Sequence, residues 1–281
     1  MAIPLLVLFL GFTIYPFFYM IGISFTNCNL SAWEVPKWVG LKNYATIFDD
    51  LVAAGSVEFT ILLVLIAVPL EMLLGLFVAF LIDDVVGESF WRSIVVLPMM
   101  IPPVVAGIAW KMLYNFQYGP VNYFLSFFGI HRISWLGDPV MARVGVIIAD
   151  VWQWTPFVFL VLYSGLQSVP QDLIEAASVD GASRWHTIRY VHLPVIRPLV
   201  WVVLIIRLVD VLKLFDIVYM VTFGGPGSAT HTISYYIYKV GLSFGWDIGY
   251  ASALSVLLLI AVVLLTNVLI RVLNVRQLLG L

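Results

Sequence analysis

Side chains able to bind a polar ligand are concentrated in two apolar stretches of the sequence. The first stretch places a carboxylate, an amide and two indoles within about one helical turn, at Asp150, Trp152, Gln153 and Trp154. Indole faces stack on the apolar faces of pyranose rings, while amide and carboxylate groups bind sugar hydroxyls. Trp152, Gln153 and Trp154 are therefore candidate sugar contacts, and aromatic packing between helices is the alternative for each. Asn115 is a further candidate contact.

The second stretch carries four charges of alternating sign, each three residues from the next: Arg207, Asp210, Lys213 and Asp216. A charge at the centre of a bilayer costs about 2.5–3.5 kcal/mol, so these side chains must pair or face a wet interior. Helical neighbours three apart can pair, which predicts Arg207–Asp210 and Lys213–Asp216. For Arg207 and Asp210 we favour a structural role that clamps this helix to the preceding span. For Lys213 and Asp216 we favour a place in a substrate path.

The composition indicates an integral membrane protein of all-α class. Hydrophobic residues make up 62% and charged residues 11% of the chain, against about a quarter charged in soluble domains, and the mean hydropathy is +1.04. The net charge of −2 gives no support to nucleic-acid binding. The single cysteine, Cys28, excludes an internal disulfide and a cysteine metal cluster, and we expect it to pack as a small apolar side chain.

Six segments are long and apolar enough to cross a bilayer, which needs about 20 residues. They are residues 2–25, 57–82, 93–114, 143–166, 195–222 and 249–272, and together they predict one transmembrane domain over 1–281. The first segment lacks a basic region and a cleavage site, so we expect a retained span, with a short basic tail missing before it. Trp33, Trp38 and Tyr44 suit an interfacial aromatic belt.

The polar loop between the fourth and fifth spans, residues 168–194, is called the signature loop below. Ser168 and Gln171 have the spacing of a capping box, which predicts a helix over about 170–180 with Asp172 in its first turn. Gly181 can adopt the left-handed conformation that ends a helix. A second helix is expected over about 182–192, stopped by Leu193 and Pro194. A polar insert of this kind cannot face lipid, so it must meet water or another protein.

The signature loop resembles that of the membrane subunits of bacterial binding-protein-dependent ABC importers, which carry Glu-Ala-Ala, three residues, Gly, nine residues and Ile-x-Leu-Pro. The matching residues here are Glu175, Ala176, Ala177, Asp180, Gly181, Leu193 and Pro194, with Val191 in place of the isoleucine. The resemblance implies the type I importer permease fold and a cytoplasmic loop that docks onto a separate ATPase. Charge bias does not orient the chain, since six Lys and Arg lie outside the spans or near their ends on each side.

Further stretches are similar to the carbohydrate branch of that family, related to maltose, glycerol-phosphate and trehalose permeases. They are Gly40–Tyr44, Leu97-Pro98 with Ile101-Pro102, Trp152–Pro156, Leu214–Tyr219 and Gly224–Pro226. The resemblance implies a multi-pass protein of the bacterial inner membrane. It also implies a heterodimer with a second permease, two ATP-binding subunits, an extracytoplasmic solute-binding protein, and lipid as the surrounding medium.

The sequence contains no Gly-x-x-x-x-Gly-Lys-Ser/Thr motif, which predicts a transport subunit that is not itself an enzyme. We expect no cofactor on this chain, with ATP and Mg on partner subunits. One alternative is an ion-coupled secondary transporter using Asp210, Lys213 and Asp216, although the two halves show no internal repeat. A membrane-embedded enzyme using Asp150 or His192 is the other alternative, and it lacks a clustered nucleophile and base. We expect a helix–helix hydrogen bond at Glu71 and solvated or capping roles for His131 and His231.

Overall fold

The computed structural model describes residues 2–32, 35–83 and 85–273, with side chains from residue 8 onward. Trp33, which the sequence analysis assigned to the aromatic belt, lies outside the described residues. The first seven helices are α1 (Ala2–Ser24), α2 (Lys42–Asp49), α3 (Leu51–Ile82), α4 (Glu88–Met100), α5 (Pro103–Leu113), α6 (Pro120–Ser126) and α7 (Pro139–Leu166). They are followed by α8 (Gln171–Val179), α9 (Arg184–Thr187), α10 (Leu193–Leu212), α11 (Asp216–Val221), α12 (Ile233–Tyr238) and α13 (Ile248–Val272). Two π-helical turns, Ile188–His192 and Lys239–Ser243, lie between these helices.

Within the described residues, three helices are long and apolar enough to cross a membrane unaided: α3, α7 and α13. The shorter apolar segment Leu8–Ser24 belongs to α1. Helix α10 has the length of a span but carries Arg197, Arg207 and Asp210. These helices agree with the all-helical transmembrane architecture expected from composition.

The third predicted span is not a continuous helix. Helices α4 and α5 meet at an angle of 92°, and Ile101 between them is extended, with ψ of 126°. A proline disfavours the helical conformation of the residue before it and has no N–H to donate, so Pro102 breaks the helix at this point. The predicted span over 93–114 is therefore formed by two helices that meet at a sharp bend.

The fifth predicted span is also broken. Helix α10 ends at Leu212, and α11 begins at Asp216 after three residues outside helix. The carbonyl of Leu214 at this break accepts a hydrogen bond from the Thr232 hydroxyl at 2.7 Å. Backbone outside helix is tolerated at membrane depth when such partners satisfy it. The predicted span over 195–222 therefore contains two helices.

The core is built around the packing of α3 against α7. Phe59, Leu63 and Ala67 of α3 and Val158 of α7 are completely buried. A Cβ placed on Gly75 would come within 2.7–2.9 Å of Val158 and of the Phe159 backbone nitrogen. Glycine at this position therefore lets the two helix backbones approach closely. Helix α10 packs against both α3 and α7, and the signature loop connects α7 to α10.

Candidate functional site

The signature loop forms a helix–glycine–helix hairpin. Helix α8 contains Glu175, Ala176 and Ala177, and Asp172 lies in its first turn as predicted. Gly181 has a φ of +74°, so the expectation of a left-handed glycine is confirmed. The amide of Ala182 donates to the Ala177 carbonyl at 2.9 Å, which closes the C-terminal end of α8.

The start of α8 differs from the prediction. The hydroxyl of Ser168 donates to the Gly165 carbonyl at 2.7 Å, inside the preceding helix. The residue preceding α8 is Pro170, and it makes no side-chain capping bond. The predicted capping box of Ser168 and Gln171 was wrong, because the serine hydroxyl is engaged by the end of α7.

The second half of the hairpin runs into α10 without a stop. The residues around the π-helical turn have right-handed helical dihedrals, and the amide of Leu193 donates to the Ile188 carbonyl five residues earlier. Pro194 has no amide to donate, and it lies in the first turn of α10. The predicted helix end at Leu193 and Pro194 was wrong, since the wider turn carries the helix past the proline. Helix α10 begins at Leu193, two residues before the predicted start of the fifth span at residue 195.

The hairpin presents an apolar surface that the sequence analysis missed. Val179, Trp185 and Tyr190 expose 87%, 65% and 67% of their surface. Glu175, Ala176, Asp180, Gly181 and Pro194 are exposed as well, while Ala177 and Leu193 are half-buried. A recess of about 420 Å³ lies between the two arms and is lined by Ala177, Gly181 and Tyr190 among others. Three large apolar side chains in a loop otherwise rich in polar residues could have signalled an interaction surface.

The indoles of the fourth span differ in their surroundings. Trp152 is 38% exposed and packs edge-to-face on Trp110, with ring centroids 5.6 Å apart. Trp154 is half-buried and lies against Phe157 and the Arg207 guanidinium, whose carbon is 5.0 Å from the indole centroid. Both rings retain accessible surface, so both stay candidate sugar contacts.

The two amides predicted to contact substrate are engaged by the backbone. Gln153 is 1% exposed, and its Nε2 donates to the Ile101 carbonyl at 2.9 Å, at the break between α4 and α5. The Asn115 Oδ1 accepts from the amides of Gln117 and Tyr118 and so closes a turn after α5. Lys213 and Asp216 are exposed at the break after α10. No contact with a substrate is established for any of these residues, and their roles stay predictions.

The charges of the fifth span pair differently from the prediction. The Arg207 Nε and Nη2 donate to Glu71 at 2.6 and 2.8 Å, and Nη2 also donates to Asp150 at 3.2 Å. The Lys213 ammonium pairs with Asp210 at 3.5 Å. The predicted pairs Arg207–Asp210 and Lys213–Asp216 were wrong. The Arg207 guanidinium lies inside the bundle and bonds to carboxylates on the neighbouring helices α3 and α7. The predicted clamp between spans five and four exists through Asp150, and the helix–helix hydrogen bond at Glu71 is confirmed.

The two loop histidines have different environments. His131 is exposed, as expected. His231 is 1% exposed, and its ring lies against Tyr235 and Tyr236. Burial lowers the pKa of His231 to about 4, and the positive charge of Lys239 acts in the same direction. The solvated or capping role predicted for His231 was wrong, since α12 folds over the loop that carries it.

The residues named for the enzyme alternative have structural partners. Asp150 is fully buried beside Arg207, and the His192 Nδ1 lies 3.2 Å from the Thr187 carbonyl within the π-helical turn. Among the residues that the structure describes, no group of three His, Cys, Asp or Glu side chains is placed to hold a metal ion.

Known proteins are similar to this chain in sequence and in fold. The family described as binding-protein-dependent transport system inner membrane component matches residues 71–278. The trehalose/maltose transport system permease protein MalF of Thermococcus litoralis is 37% identical over 99% of this chain and 93% of its own length. The trehalose transport system permease protein SugA of Mycobacterium tuberculosis is 33% identical over 91% of this chain and 81% of its own length.

A solved structure supports the same assignment. One chain of a bacterial alginate ABC transporter, crystallised in complex with a periplasmic protein bound to an alginate pentasaccharide, superposes with a TM-score of 0.82. The two chains are 26% identical, and the match covers 96% of this chain and 91% of the other. The fold is that of type I ABC importer permeases, as the resemblance implied. This chain belongs to the inner-membrane permease subunits of binding-protein-dependent ABC transport systems.

Proposed function

We propose that this chain is one of two membrane subunits of an ATP-driven importer for a sugar or sugar derivative. The observation that carries the proposal is the exposed helix–glycine–helix hairpin between α7 and α10, which bears Glu175, Ala176, Ala177 and Gly181. Relatives that transport trehalose, maltose and sulfoquinovosyl glycerol support the sugar assignment.

The hairpin is the proposed docking site of a separate ATPase subunit. Its docking residues are Glu175, Ala176, Ala177, Asp180, Gly181, Leu193 and Pro194. Small side chains on α8 let a partner surface approach closely, and Val179, Trp185 and Tyr190 provide apolar area that docking would remove from water. We expect ATP and Mg to bind on two partner ATPase subunits, and this chain to bind no cofactor and to catalyse no reaction.

The backbone of the hairpin is continuous with the transmembrane bundle, which supports mechanical coupling between them. Helical backbone runs from Arg184 through the π-helical turn into α10 without an intervening loop. Arg207 near the other end of α10 is bonded to α3 and α7 through Glu71 and Asp150. A displacement of the hairpin by a closing ATPase would therefore move α10 together with the core of the bundle. This coupling supports alternating access, in which ATP-driven closure opens the spans outward and hydrolysis reverses the motion.

The proposed sugar path runs beside the two broken helices. Trp152 and Trp154 supply ring faces for stacking, and Lys213 and Asp216 supply exposed charged groups at the break after α10. Gln153 can add a polar contact through its buried Oε1, which has no hydrogen-bond partner among the described residues, and Asn115 through its Nδ2, which its turn does not use. A second permease subunit completes the path, and an extracytoplasmic binding protein delivers the sugar.

Reconstitution tests this proposal. The complex of both permeases and the ATPase is placed in liposomes with ATP inside, and uptake of radiolabelled trehalose and maltose is measured with the cognate binding protein outside. Uptake that requires internal ATP, and that is lost when the ATPase carries an inactive phosphate-binding lysine, is the expected result. Uptake driven by a proton or sodium gradient without ATP would contradict the proposal and favour a secondary transporter.

A further inference from the structure

Three charged side chains from three helices meet inside the bundle. Glu71 of α3, Asp150 of α7 and Arg207 of α10 are each no more than 1% exposed. Arg207 makes two hydrogen bonds to Glu71, at 2.6 and 2.8 Å, and one to Asp150 at 3.2 Å. A guanidinium held by two carboxylates in this way has one orientation, because its planar fork matches the carboxylate geometry.

This fixed guanidinium lies over the indole of Trp154. The guanidinium carbon is 5.0 Å from the ring centroid, within the range of a cation–π contact. Trp154 and Asp150 are four residues apart on α7, so they share a helix face. Arg207 therefore contacts both residues of that face, Asp150 by a hydrogen bond and Trp154 by a cation–π contact.

Burial separates the roles of the two partners in this contact. Arg207 is sealed from the exterior, whereas Trp154 is half-buried and keeps accessible surface. A buried arginine cannot touch a sugar in the path, but it can determine where the indole is held. The phenyl ring of Phe157 supports the indole edge-on from the same helix, with centroids 6.5 Å apart.

We propose that Arg207 is a positioning residue for substrate binding, held by Glu71 and Asp150 and acting through the Trp154 indole. The proposal rests on the proposed function, since it requires that Trp154 stacks on the sugar. It assigns to this buried cluster a role in affinity for the sugar in addition to the joining of three helices. A purely structural cluster would affect how much transporter assembles, whereas a positioning cluster affects the KM of the assembled transporter.

A double-mutant cycle on the complete reconstituted transporter tests this role. The variants are Trp154→Ala, Arg207→Lys and the two combined, with KM and kcat for sugar uptake and the quantity of assembled complex measured for each. Lysine keeps the charge and loses the planar fork that Glu71 and Asp150 hold in one orientation. We expect Arg207→Lys to raise KM by about tenfold in the otherwise unchanged protein and by less than about twofold in the Trp154→Ala background. Changes in kcat should stay within about threefold.

Arg143→Lys is the matched control. Arg143 also pairs with a carboxylate, Glu58 at 3.5 Å, and its guanidinium lies 5.5 Å from the Phe59 ring, but it is not part of the buried cluster. This variant should leave KM unchanged. If Arg207→Lys fails to assemble, Glu71→Gln replaces it, because that change removes one charge and keeps the shape of the side chain. Its KM increase should likewise shrink in the Trp154→Ala background.

The possible results separate this inference from the proposed function. If wild-type uptake requires ATP but the KM effects of the two substitutions multiply independently, the positioning role is wrong and the importer assignment stands. A Trp154→Ala variant with unchanged KM overturns the positioning role in the same way. Absence of ATP-dependent uptake in the wild-type complex contradicts the proposed function itself.

Discussion

Replacing Gly181 tests whether the turn of the signature loop is required for docking. Gly181 has a φ of +74°, and a Cβ built on it meets no atom within 4 Å. A Cβ therefore fits the space within this chain, where only the backbone conformation opposes it. The left-handed conformation costs an ordinary L-residue about 1–2 kcal/mol, which corresponds to about a 5–30-fold loss of the native turn. Valine is branched at Cβ, so its cost lies at the upper end of this range, whereas asparagine adopts the left-handed conformation more readily.

The assay is the affinity of the permease pair for the ATPase subunit, together with ATP-driven uptake in liposomes. Gly181→Val should weaken ATPase binding by about tenfold or more, Gly181→Ala by less, and Gly181→Asn least, in proportion to the cost of the left-handed turn. Insertion in the membrane should be the same for all three variants. Equal binding by the valine and asparagine variants would refute the reasoning, because the two differ in their preference for this backbone conformation.

Two further predictions concern stability. Gly75→Ala should lower the free energy of unfolding by about 1–3 kcal/mol through overpacking, since its Cβ would lie 2.9 Å from the Phe159 amide nitrogen. Gly55→Ala on the same helix is the control, because a Cβ there meets nothing within 4 Å. Equal shifts of the melting temperature for both variants would contradict the close approach of α3 and α7. Because the pKa of His231 is about 4 in the folded protein and 6.5 is its ordinary value, the unfolded chain takes up a proton first as the pH falls. Stability should therefore decline between about pH 6.5 and 4 by up to about 1.4 kcal/mol per pH unit from this group, and His231→Gln should flatten that decline in thermal melts; an unchanged decline would show that His231 is not buried.

The sequence allowed prediction of features set by residues close in the chain. The composition indicated an all-helical membrane protein, and Gly181 indicated the left-handed turn because local backbone preference determines it. The motif around Glu175 and Gly181 indicated the family, which the similarity to solved and curated relatives confirmed.

Features set by distant contacts were not predictable in this way. The pairing of Arg207 with Glu71 joins residues 136 positions apart, so the spacing of charges within one helix favoured the wrong partner. The burial of His231 depends on α12, and the capping bond expected from Ser168 was lost to the Gly165 carbonyl. Hydropathy located the third and fifth spans, but it did not reveal that a neighbouring side chain, Gln153 or Thr232, satisfies the backbone at each break.

Cross-linking from the signature loop tests the central claim most directly. Cys28 is the single native cysteine, so Cys28→Ser provides a background for Ala177→Cys on α8, with Tyr118→Cys in the loop after α5 as the control. We predict that position 177 reacts with an impermeant maleimide only from the cytoplasmic side and cross-links to the ATPase subunit, while position 118 does neither. Labelling of position 177 from outside the cell, or the absence of any cross-link to a nucleotide-binding subunit in the assembled complex, would contradict the account.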